Sequence, residues 1–176
     1  MKNMTALVLF FVITATGPAQ KPLVKTRFGS VYSNLTTNCK NFAGSNGSDG
    51  YSICSGPSGY RIRNYYAAAA ALYVVELKDD KGSYPLPMLD LGFDDRKTIV
   101  EWRTADGKPF AVIMRIPTYA KPQDDKKYFG PVNGERLVIR GLKGIDLDMS
   151  IDGRVPGANR TAREIADTAY LRITSN

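Results

Sequence analysis

From Thr98 to Ile116 the chain reads TIVEWRTADGKPFAVIMRI, two apolar runs on either side of Asp106-Gly107. Asp and Gly both tolerate positive φ, so this pair between alternating arms predicts a tight β-hairpin. In the second arm Phe110, Val112, Met114 and Ile116 fall on one face and Ala111, Ile113 and Arg115 on the other, the period of two expected of a strand. Val100 and Trp102 match the apolar face. Glu101, Arg103 and Arg115 are then left together on the opposite side, spaced for a cross-strand ion pair.

A second hairpin is predicted over ERLVIRGLKGIDLDMSI, with Gly144 between the arms. Leu147, Met149 and Ile151 alternate there with Asp146, Asp148 and Ser150, the pattern of a strand wet on one side. FGSVYSNL and GYRIRNY alternate as well. YYAAAAALYVVELK is mixed: its alanines favour helix, whereas LYVVEL is β-branched and precedes the turn DDKG. The reading is a strand over 72–78, with Ala67 to Ala71 as a turn or short helix. Lys121 to Gly134 is polar, carries two prolines and reads as a loop. At the end of the chain Thr161 and Glu164 fit a capping box. Ala162, Ile165, Ala166 and Ala169 follow as a small apolar stripe. The sum is an α+β fold: one antiparallel sheet of about six to seven strands with a C-terminal helix packed on one face.

The first twenty residues, MKNMTALVLFFVITATGPAQ, have a basic start, an uncharged apolar run and small residues before Gln20. That pattern predicts a signal peptide over 1–19. It leaves residues 20–176 as one α+β domain, with no integral membrane segment after cleavage. The expected location is periplasmic or secreted. The whole chain carries a formal charge of +7 and has no histidine. Its basic residues are interleaved with acidic ones, so the long-range field suits anionic material such as envelope polymers. There is no basic stripe of the kind nucleic acid requires.

Compartment decides the chemistry of Cys39 and Cys54, the only two cysteines. Zinc would need four ligands, and a redox motif would need closer spacing. The intervening SNGSDG does not place carboxylates where a calcium loop needs them. In an oxidising compartment the pair is expected to form a disulfide.

Without histidine, neither a Ser-His-Asp nor a Cys-His arrangement is possible, and no phosphate-cradling glycine loop is present. No catalytic residue, metal ligand or cofactor site is assigned. Asp146 and Asp148 share a strand face and are the best carboxylate pair for an enzyme, although such a pair is more often the wet side of a strand. Glu101, Trp102, Arg103 and Arg115 form a candidate binding patch.

Several short motifs together resemble an uncharacterised family of exported bacterial proteins. They are Gly29-Ser30-Val31-Tyr32, Cys39, Cys54-x-Gly56 with Gly59-Tyr60, Glu101-Trp102-Arg103, Pro109-Phe110-Ala111 and Ile113-x-Arg115. The closing Asn159-x-x-Ala162-Arg163-x-x-Ala166-Asp167 is similar to that family's last helix. The resemblance implies export and brings no activity or substrate; further cysteines near the end of that family's chains have no counterpart here. The functional expectation is a non-enzymatic exported binding module acting on a protein or an anionic envelope polymer. A cell-envelope enzyme using carboxylates and an inhibitor of a hydrolase are the alternatives.

Overall fold

The structure is a computed structural model and describes residues 25–44, 50–67, 70–77, 82–85, 99–123 and 130–174. The expected leader and its cleavage site lie outside the described residues. In chain order the elements are β1 (Phe28–Asn34), β2 (Cys39–Phe42), β3 (Tyr51–Ser55), β4 (Tyr60–Ala67), β5 (Ala70–Leu77), β6 (Ser83–Pro85), β7 (Ile99–Ala105), β8 (Lys108–Tyr119), β9 (Val132–Gly141), β10 (Asp148–Asp152) and α1 (Ala158–Thr174). Antiparallel strands followed by a C-terminal helix are as the alternation predicts. The single sheet of six to seven strands is not: the described residues form two five-stranded sheets, ordered β1-β7-β8-β9-β10 and β2-β3-β4-β5-β6. The chain leaves the first sheet after β1, builds the second as a meander, and returns at β7. Alternation identifies which face of a strand is apolar, but not whether a helix or another sheet will cover it.

The first sheet is the middle of three layers. One face packs on the second sheet through Trp102, Val112, Met114 and Val138 against Ile62, Tyr73, Val75 and Cys54. The other packs on α1 through Ile113, Leu137 and Ile139 against Ala158, Ala162 and Ala166. Covered on both sides, β7 is buried at every residue after Ile99. Small alanines every fourth residue let the helix backbone approach the sheet closely, while Ile165 and Tyr170 fill the flanks.

Four local expectations are revised. The two ends of the alanine run, expected in a turn or short helix, are strand: Ala67 ends β4 and pairs with Ala70 at the start of β5, because cross-strand pairing overrides alanine's weak preference for helix. Residues 68 and 69 lie outside the described ones. Phe110 leaves the face it was expected to share with Val112. The pairing steps from Arg103–Ala111 to Thr104–Pro109, and this bulge turns Phe110 to the helix side, against Phe28 and Tyr170. The hairpin itself forms as expected, with Asp106 and Gly107 both at positive φ. Further along, β9 starts at Val132, inside the stretch read as loop. The helix starts at Ala158, so Thr161 lies within the first turn, donating its N–H to Gly157 rather than capping.

Candidate functional site

Glu101, Arg103 and Arg115 do share a face, the one turned to α1, but they do not bond one another across the strands. Each reaches a different residue at the helix. Arg103 donates Nε and Nη2 to the two carboxylate oxygens of Asp167 at 2.9 and 2.7 Å. It also donates Nη1 to the Gly29 carbonyl at 2.7 Å and to Ser30 Oγ at 2.9 Å. Glu101 accepts from Arg163 Nε at 2.6 Å and Nη2 at 3.2 Å, and from the Ser30 hydroxyl. Arg115 donates to Glu135 at 2.6 Å, to the Gly153 carbonyl at 2.7 Å and to Asn159 at 3.0 Å.

Asn159, Arg163 and Asp167 are four apart and stand on one stripe of the helix, beside the alanines. The charges therefore form a ladder locked between helix and sheet. Glu101 and Arg103 are only 8% and 9% exposed. The hydrogen bond to Glu101 more than offsets burial and holds the Arg163 guanidinium above its ordinary pKa. Ser30, Asn159, Arg163 and Asp167 were not assigned to the patch from sequence; the four-residue spacing was the signal that could have found the last three, and Ser30 had none.

Trp102 points the other way. It is fully buried against the second sheet, its indole N–H donating to Ser33 Oγ at 2.9 Å, with the Tyr60 ring centroid 5.6 Å away. Gly56 lies flat against the indole; a Cβ there would come within 2.6 Å of a ring carbon. In this way the pieces of the sequence resemblance converge on two places. Gly29, Ser30, Tyr32, Glu101, Arg103 and the helix motif build the ladder, and Gly56 and Tyr60 pack on Trp102. Both are internal joints between layers.

Cys39 and Cys54 face each other across β2 and β3 and are joined in a disulfide. Asp146 and Asp148 are exposed, and Asp148 bonds Arg140 at 2.6 Å. Burial pulls the Arg140 guanidinium below its ordinary pKa, and the Asp148 charge offsets only part of that. No group of three or more His, Cys, Asp or Glu that could hold a metal occurs among the described residues.

The outer face of the second sheet is built differently. Alternation sends Cys54, Ile62 and Val75 inward, so the residues between them face outward. Phe42, Tyr51 and Tyr65 stand in register across β2, β3 and β4. Phe42 stacks on Tyr51 at 4.7 Å, and Tyr65 follows at 5.9 Å. The Arg63 guanidinium lies 5.3 Å from the Tyr51 ring centre and 5.7 Å from that of Tyr65, and donates to the Tyr65 hydroxyl at 3.0 Å. Glu76 takes ion pairs from Arg61 at 2.9 Å and Arg63 at 3.1 Å. Burial pulls the Arg63 pKa down, but the bonds and charges of Tyr65 and Glu76 outweigh it and leave it raised. The row Lys40, Ile53, Arg63 runs beside the rings. Among the described residues of these rows, three cations stand against one carboxylate, and their side chains are half-buried or exposed.

Compared with known protein families, with characterised proteins and with solved structures, the chain matches none of them.

Proposed function

We propose that this chain is an exported, non-enzymatic binding module that holds an anionic polymer of the cell envelope on the outer face of its second sheet. The observation that carries this reading is the Phe42–Tyr51–Tyr65 row with Arg63 laid over two of its rings. A flat sheet face of this kind offers a polymer two recognitions at once. Ring surfaces take the apolar faces of its repeating units, and Lys40, Arg61 and Arg63 take its charges. The chain's formal charge of +7 adds long-range attraction of the same sign. Periplasmic or secreted location is part of the proposal. It is supported by the Cys39–Cys54 disulfide and by the N-terminal sequence pattern. No helix among the described residues is long and apolar enough to cross a membrane.

The test is a photo-reactive side chain placed at Tyr51 in the full chain, expressed in its own cell, with Tyr32 as the comparison position. The proposal expects a polymer adduct at position 51 and none at 32. A protein adduct at 51 would keep the binding face and replace the polymer. No adduct at 51, together with an activity lost in Asp146→Asn/Asp148→Asn, would replace the binder by a carboxylate enzyme.

A further inference from the structure

On the far side of the first sheet, a groove of about 710 Å³ runs between β10 and α1. Leu147, Ile165 and Ile173 give it an apolar floor and Asp146 and Glu164 an acidic rim; Asp148, paired with Arg140, and Arg172 also line it. It is separate from the aromatic face and owes nothing to the polymer reading.

Two features point to what fits there. The first is an open strand edge. Within its sheet β10 is terminal and pairs only with β9. Gly141 donates its N–H to Leu147 and Gly153 donates to Glu135, so the odd-numbered residues of this strand bond inward to β9. By the alternation of an antiparallel ladder, Asp148 and Ser150 turn their N–H and C=O outward, where an added strand can pair. The second is charge. Asp148 and Asp152 are paired with Arg140 and Arg154, so the acidic character of the groove comes from Asp146 and from Glu164 across it, within a chain whose formal charge is +7. A strand bearing Lys or Arg between apolar residues meets both the rim and the floor. Met149, 45% exposed, supplies an adaptable apolar contact beside it.

We infer that the groove between β10 and α1 receives an extended basic peptide of a partner protein as an added sixth strand. The experiment uses the full chain and two fluorescent octapeptides, (Lys-Val)₄ and (Glu-Val)₄, read by anisotropy, with amide hydrogen exchange to locate the contact. The expected result is saturable binding of (Lys-Val)₄ alone, with exchange slowed at Asp148 and Ser150. Asp146→Lys with Glu164→Lys, both exposed positions, should weaken it about tenfold or more without loss of fold. Equal binding of both peptides, binding indifferent to the double variant, or protection mapped elsewhere would overturn the inference. So would protection of this edge by self-association in the absence of peptide.

Discussion

The two flanks of this molecule use the same kinds of side chain to opposite ends. Under α1, Arg103, Glu101, Arg163 and Asp167 are bonded to one another and sealed by the helix. On the outer face of the second sheet, Arg61, Arg63 and Glu76 are bonded as well, but they lie beside half-exposed rings, and among the described residues no helix packs over them. A charged cluster closed by its own chain fixes the docking of two layers. One left open beside aromatic rings keeps its faces available to a ligand. The residues that look most distinctive in sequence, EWR, thus belong to the joint, and the plainer Phe42, Tyr51, Arg63 and Tyr65 to the surface.

Substitutions that separate the two regions should rank accordingly. Trp102→Ala removes the largest fully buried side chain between the sheets and should cost about 4 kcal/mol in urea unfolding. Asp167→Ala leaves the buried Arg103 without its carboxylate and should cost about 3 kcal/mol. A double-mutant cycle with Arg103→Ala should show that most of this loss is shared by the pair. A result near zero would mean the ladder does not hold the helix. Tyr51→Ala, by contrast, should change stability by only about 1 kcal/mol while abolishing polymer binding in a pull-down.

The smallest effect is expected at Asp152, an exposed residue held below the usual carboxylate range by hydrogen bonds from Arg154. A depressed folded pKa contributes stability at neutral pH that is lost as the pH falls through it. Its NMR titration should lie below that of an ordinary aspartate and return toward it in Arg154→Ala.

How far the sequence could be read follows from what each pattern encodes. Asp106-Gly107 and the alternation of Val112, Met114 and Ile116 are local and fixed the central hairpin with its Trp102-bearing face. Cys39 and Cys54 were legible because cysteine chemistry leaves few choices. The bulge that redirects Phe110 was not legible, because it arises from register with β7 rather than from any residue's preference. The ends of the alanine run, Ala67 and Ala70, were expected in a turn or short helix and are strand, because their conformation is decided by pairing between β4 and β5. The binding patch mixed two faces: Glu101, Arg103 and Arg115 turn to the helix, and Trp102 to the other sheet. The aromatic row was invisible in sequence because Phe42, Tyr51 and Tyr65 come from three strands and meet only once the meander forms. Nothing in the spacing of the tyrosines along the chain says which of them will align.

The most direct test is an amide chemical-shift titration of the folded protein with polygalacturonate as the anionic polymer and dextran as the uncharged one. The account predicts shifts confined to β2, β3, β4 and β5, centred on Phe42, Tyr51, Arg63 and Tyr65, with polygalacturonate only. Shifts centred on α1 and β7, or equal shifts with dextran, would contradict the claim that the open aromatic face recognises an anionic polymer.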